Sequence, residues 1–261
     1  MEQLAGATPD DSAASVIWVR NEAGSIFTVR AQGLPVDNNA DLVMTAFGDY
    51  WPPRGAEVVS ERGEPIERSF HVDVALPSSL ARFESDFGLH VAEKLEGYVA
   101  VHAALVRMGD AVLIFPGVSH AGKSTLAHTA LTSGYTVLSD EYALISLETG
   151  LVSGWPRPIR RREIDGSITR IPIPDDWAEY APTHVIDVRY VQHPEALIVE
   201  QMSSGDVAFS LLANSLCAQS RPEDSLRAIA SVARAVTGWR GTRADADVAL
   251  KEIAELITQP F

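Results

Sequence analysis

The sequence predicts a mixed α/β fold in which a β-rich lobe precedes a phosphate-binding core. Three observations carry that expectation. Residues 117–124, GVSHAGKS, fit G-x-x-x-x-G-K-[ST] at every fixed position. An apolar run, AVLIF, leads into them and a helical pattern, KSTLAHTALTS, follows, giving strand, glycine-rich loop and helix in order. The first eighty or so residues hold strand-like runs and no motif. The domain boundaries expected from this are 1–84 for the lobe and 85–261 for the core.

Taken in order, residues 1–14 are small, polar and acidic and read as a disordered start. SVIWVRNEAGSIFTVRA reads as two strands joined around Asn21–Gly24, and ADLVMTAF and RSFHVDVAL as two more, separated by the loop DYWPPRGAE. Leu80, Phe83, Phe87, Val91 and Leu95 recur at helical spacing, Gly97 marks a stop, and Gly88 allows a break into two shorter helices. YVAVHAALV and AVLIF are apolar strands linked by RMGD as a tight turn. After the helix at KSTLAHTALTS, YTVLSDEYALISL reads as a strand, an acidic exit and another strand. GWPRPIRRREIDG reads as a Pro- and Arg-rich loop. HVIDVRYV and ALIVEQM follow as strands, then GDVAFSLLANSLC, PEDSLRAIASVARAV and ADADVALKEIAELI as helices.

Composition narrows the function classes. The 261 residues, 46% of them hydrophobic, suffice for a sizeable core. A formal charge of −14 repels phosphate backbones and argues against a nucleic-acid partner. The single cysteine, Cys217, forms no intramolecular disulfide and reads as a buried thiol in a reducing compartment. The N-terminus lacks the basic start and apolar run of a signal peptide, and no stretch approaches the roughly 18 apolar residues of a membrane helix. The expected location is therefore cytoplasmic, with no membrane partner.

The chemistry concentrates in four places. In 117–124, Gly117 and Gly122 let the backbone curl so that consecutive N–H groups point at phosphate oxygens, and the helix beginning near Lys123 adds the positive end of its dipole. Lys123 is one of only three lysines in the chain; it reaches the β- and γ-phosphates, and Ser124 is placed to ligate Mg²⁺. The nucleotide-binding set is Gly117, Ser119, His120, Ala121, Gly122, Lys123, Ser124 and Thr125. His120 stands where many such loops carry Gly; it reads either as a solvent-facing side chain at a free position or as a contact to the acceptor or γ-phosphate. Asp140 and Glu141, at the exit of the next strand, read as a metal-holding and proton-accepting pair, with Ser124, Asp140 and Glu141 the metal set. His102, amid apolar residues, fits a core or a site histidine. Arg157, Arg160, Arg161 and Arg162 form a basic run that suits phosphate or an acidic substrate, or else a face neutralised by Glu163 and Asp165.

From about residue 85 onward the chain resembles the HPr kinase family, most closely its short members such as lasso-peptide precursor serine kinases. VHAALVRMGDAVLIFPGVSHAGKSTLA, GYTVLSDEYALI and GWPRPIRRR carry the likeness; LLANSL and VTGWRG agree loosely. The resemblance implies a core like that of phosphoenolpyruvate carboxykinase, ATP and Mg²⁺ as cofactors, and γ-phosphate transfer to a serine hydroxyl of a peptide or protein. By position it implies His102 beside the acidic pair, Asp140 as base toward the serine, and Glu141 as the second acid near the metal. It also implies a homo-oligomer. The RGLG-type signature tied to dephosphorylation is absent from the sequence, so phosphatase activity and HPr as substrate are not expected. A small-molecule hydroxyl kinase on the same core, and an ATP-binding sensor that transfers nothing, are the alternatives. N-K-x-D and L-S-G-G-Q are absent, which disfavours a GTPase and an ABC-type ATPase.

Overall fold

A computed structural model describes residues 15–21, 26–32, 50–51, 54–59, 66–73, 76–117, 122–162, 168–192 and 196–258. The readings for residues 1–14, for the strand candidate at 40–47, for Glu163 and Asp165, and for Ser119, His120 and Ala121 lie outside the described residues. The chain divides into two compact units, Met1–Val91 and Ala92–Phe261. Both helix and sheet are present throughout, so the class is mixed α/β.

In the first unit, β1 (Ser15–Asn21), β2 (Ile26–Gln32), β3 (Ala56–Val59) and β4 (Ile66–Asp73) form one sheet in the order β3-β1-β2-β4. β1 is antiparallel to β2 and β3, and β2 is parallel to β4. β3 carries no sequence signal, because Pro52, Pro53 and Gly55 immediately before it read as loop. Helix α1 (Pro77–Lys94) runs unbroken through Gly88. Its buried face explains why: Phe83 and Phe87 stack at 5.2 Å, and Phe70 of β4 meets Phe87 edge-on at 5.2 Å. Aromatic packing on that scale outweighs the roughly 1 kcal/mol that a helical glycine costs.

The second unit runs β5 (Tyr98–Met108), β6 (Ala111–Pro116), α2 (Lys123–Thr132), β7 (Thr136–Ser139), β8 (Tyr142–Ser146), β9 (Val152–Gly154), β10 (Ile159–Arg162), β11 (Ile168–Ile171), β12 (His184–Tyr190), β13 (Ile198–Met202), α3 (Ser204–Ala213), α4 (Pro222–Ala235), β14 (Thr237–Arg243) and α5 (Ala246–Thr258). Its main sheet has the order β13-β14-β12-β6-β5-β8-β9, with β7 also on β5. β6, β12 and β14 are mutually parallel; β13, β5, β8 and β9 run against their neighbours. α2 lays Leu126, Ala127 and Ala130 into a core shared with Phe115, Ile186, Leu250 and Ile253. Among the described residues, no helix is long and apolar enough to cross a membrane. Cys217 is buried and unpaired, as its sequence context suggested.

One stretch differs from expectation, and another is a strand for which the sequence held no expectation. Residues 159–162, inside the expected Arg-rich loop, are a strand: β10 pairs antiparallel with β11, Arg160 opposite Arg170 and Arg161 opposite Thr169. Ile159 anchors it, fully buried in the core beneath α2. β14, TGWRGTR, has no apolar alternation yet lies between β12 and β13. Its glycines are the reason: a side chain at Gly238 would strike Val207 and Met202, and one at Gly241 the Ile198 carbonyl.

Candidate functional site

Strand direction brings the expected residues to one edge. β5 is antiparallel to both β6 and β7, so those two run alike and end together, Pro116 opposite Ala103 and Ser139 opposite Leu105. β12 and β14 run the same way as β6 and finish at this end too. Such an edge, beyond the carboxyl ends of parallel strands, is where α/β sheets take ligands.

The acidic pair sits at an interruption in a ladder. Leu105↔Ser139 and His102↔Tyr142 share one register, while Val106↔Val137 is shifted by one, which leaves Leu138 as a bulged residue. The buried Ser139 hydroxyl accepts the N–H groups of Glu141 (3.2 Å) and Tyr142 (3.1 Å), and the Glu141 carbonyl accepts from Ala103 N at 3.0 Å. The backbone is thus satisfied although regular pairing stops, and both carboxylates project at the edge. Gly154 of β9 passes so close to the bulge that a side chain there would collide with the Leu138 carbonyl.

Across the edge, α2 begins at Gly122, which takes a left-handed conformation with φ 84°. Lys123 Nζ donates to Gly117 O at 2.7 Å, closing the two ends of the expected phosphate segment on each other. Ser124 Oγ donates to Asp140 Oδ2 at 2.8 Å. Asp140 is only 1% exposed, and its other oxygen, Oδ1, is buried without a hydrogen bond among the described residues. Glu141 accepts from Arg157, with Arg160 at 3.7 Å and His102 Nε2 at 3.7 Å from its carboxylate. His102 is held by its backbone, donating to Asn214 O at 2.8 Å and accepting from Gly117 N at 3.2 Å.

The electrostatics separate the two acids. Burial raises the Asp140 carboxyl above its ordinary value, and Glu141 adds to this; Arg157, the Ser124 hydrogen bond and Arg160 oppose it without prevailing. For Glu141 burial acts upward too, but Arg157, Arg160, His102 and Lys123 together hold it below its ordinary value. Burial lowers Lys123, against the pull of Glu141 and Asp140. Burial and then the Lys123 charge take His102 down to about 4, with Glu141 opposing, so its ring is neutral at pH 7.

Of the expected site residues, Gly117, Gly122, Lys123, Ser124, Asp140, Glu141, His102, Arg157 and Arg160 gather at this edge. Thr125 and Arg161 are exposed and enter none of these contacts. Arg157 is buried against Glu141, which draws it out of solvent. Sequence reading missed Arg243 at the end of β14, whose guanidinium donates to Gly122 O at 3.1 Å, and Gly154 behind the acids. No local signal marks either, since both act on residues far along the chain.

The donor set fits a magnesium ion. Among the described residues no three His, Cys, Asp or Glu side chains gather as a cage. Mg²⁺ beside phosphates needs only one or two protein carboxylates, however, and the rest come from water and phosphate. Ser124 Oγ and Asp140 Oδ2 are 2.8 Å apart, near the roughly 2.9 Å between adjacent ligands of an Mg²⁺ octahedron, and Asp140 is a buried carboxylate with one oxygen short of a hydrogen bond among the described residues. Compared with known proteins, the chain matches no family model and no curated sequence. Fold and site together define a mixed α/β chain with a lysine, a hydroxyl, a buried aspartate and a partly buried glutamate at one sheet edge.

Proposed function

We propose that this chain is an ATP-dependent, HPr kinase-like phosphotransferase that moves the γ-phosphate of ATP to a serine hydroxyl of a peptide or protein, with lasso-type ribosomal precursor peptides as the acceptor class. The observation that carries this reading is the Ser124–Asp140 hydrogen bond. It joins the hydroxyl of the G-x-x-x-x-G-K-S pattern to a carboxylate at the end of a neighbouring strand, sixteen residues on. A P-loop kinase core, with nucleotide across 117–124, is the fold that reading requires.

Each residue then has a task. The N–H groups opening α2 and the Lys123 ammonium bind the β- and γ-phosphates, Lys123 leaving Gly117 O to do so. Ser124 and Asp140 Oδ2 would hold Mg²⁺, with Glu141 as the further acid nearby; the ion supplies charge neutralisation on the transferring phosphoryl group. The Asp140 carboxylate accepts the proton of the serine hydroxyl as that oxygen bonds to the γ-phosphorus. The bond from this phosphorus to the β–γ bridging oxygen breaks, and ADP leaves. The resemblance gives the proton to Asp140 over Glu141, and in the metal-free chain burial raises the Asp140 carboxyl while nearby cations hold Glu141 low. Arg157 and Arg160 keep Glu141 ionised.

Incubation with γ-labelled ATP, Mg²⁺ and serine-containing peptides should label the peptide, and Asp140→Asn should slow labelling by about a hundredfold or more. Labelling undiminished in Asp140→Asn refutes the assigned base. Label in small metabolites alone, or nucleotide binding with no transfer, refutes the peptide acceptor.

A further inference from the structure

We propose that Arg243 is a positioning residue for the phosphate-binding segment, holding the Gly122 carbonyl so that the N–H groups opening α2 stay aimed at the nucleotide. Arg243 ends β14, yet its guanidinium reaches the start of α2. One nitrogen donates to Gly122 O at 3.1 Å and the other to Ala244 O at 3.0 Å. The side chain is 3% exposed and lies 5.4 Å from the centre of the Tyr190 ring. These two backbone carbonyls are its hydrogen-bond acceptors among the described residues, and neither neutralises it.

A buried guanidinium without a bound carboxylate is costly, so its place needs a reason. The segment itself supplies one. Its two ends are each tied by a cation: Gly117 O by Lys123 at 2.7 Å, and Gly122 O by Arg243. Lys123 must leave its carbonyl to meet phosphate, whereas Arg243 can stay. Gly122 O also accepts the N–H of Leu126 at 3.0 Å, the first hydrogen bond of α2, so Arg243 grips the peptide group that sets the helix start. The guanidinium fills the space where a side chain at 122 would stand. That requirement for glycine is independent of the left-handed φ. The Arg243 charge beside the helix start, offset in part by Asp245, also adds to the field that draws an anion there.

Arg243 can have this role only if residues 117–124 bind nucleotide, as proposed above, so the test measures binding rather than transfer. Titration calorimetry on the full chain with Mg²⁺–ATP and ADP gives dissociation constants for the native protein, Arg243→Ala and Arg243→Lys. Arg243→Ala is expected to weaken both nucleotides by about tenfold to a hundredfold, the range of one lost charge-assisted hydrogen bond. Arg243→Lys, which keeps the charge but cannot span both carbonyls, should fall between. Millimolar guanidinium should restore affinity to Arg243→Ala saturably and leave the native protein unchanged, an outcome a merely structural role would not produce, since guanidinium destabilises folded chains. Native affinity in Arg243→Ala, or a loss that tracks its melting temperature without rescue, overturns the role of Arg243 while leaving the nucleotide site standing. If Arg243→Ala does not fold, native affinity in Arg243→Lys overturns it. No nucleotide binding by the native protein overturns both.

Discussion

Gly154→Ala is the sharpest probe of how the acidic pair is held. The added Cβ would lie 2.8 Å from Leu138 Cβ and inside contact distance of the Leu138 carbonyl carbon and oxygen. Carbon atoms pack at about 3.5 Å or more, so β9 and the bulge must part by about 1 Å. The obstacle is backbone, which cannot rotate away as a side chain can. Overpacking of this kind costs about 3 kcal/mol, the upper end of its usual range. At about 2–4 °C per kcal/mol for a unit of this size, melting should fall by about 10 °C. Leu138 is two residues before Asp140, so the shift carries into the acids, and misplacement on the ångström scale can cost about a hundredfold in rate. Thermal melts by circular dichroism and the labelled-ATP assay, run below the variant's melting temperature, read the two effects separately. A variant with native melting and native transfer would show that the bulge does not rest on Gly154, and the account of how Asp140 and Glu141 are placed would fail.

Two further outcomes follow from the charges at this edge. Arg157→Ala takes its nearest cation from the partly buried Glu141 and should destabilise the chain by about 2 kcal/mol in urea unfolding, between the values for exposed and buried pairs, with Arg160 providing partial compensation. Adding Glu141→Gln should recover much of that loss; a double variant no better than Arg157→Ala alone would contradict the pairing. His102 should titrate near 4 by NMR, and Lys123→Met should raise its midpoint by removing the second-largest lowering influence. Because the folded pKa lies below the ordinary 6.5, the unfolded chain binds the extra proton first. Stability should therefore fall as the pH drops from about 6.5 towards 4, and a His102 midpoint at its ordinary value would refute the burial argument.

Much of the fold was legible because its signals are local. The hairpin of β5 and β6, the helix after Gly122 and the strand running out at Ser139 each announce themselves within a dozen residues, through alternation, helical spacing and a turn glycine. β9, β10, β11 and β14 did not, being short or rich in glycine and arginine. Their pairing is imposed by neighbours distant in sequence, as when β12 takes β14 at its side. Gly88 misled in the other direction: the aromatic face of α1 held together a helix that local propensity would have allowed to break.

The sequence by itself determined which residue types stand ready for phosphate chemistry: a glycine-framed lysine and serine, and an acidic pair one strand further on. Those follow from spacing along the chain, which folding does not alter. Tertiary structure alone decided their partners. It set Ser124 against Asp140, turned Arg157 and Arg160 toward Glu141, brought Arg243 across 121 residues to the Gly122 carbonyl, and pressed Gly154 to the bulge at Leu138. The reason is physical. Contacts of this kind depend on strand order and direction in the sheet, and burial then shifts each group's charge, neither of which any window of sequence contains.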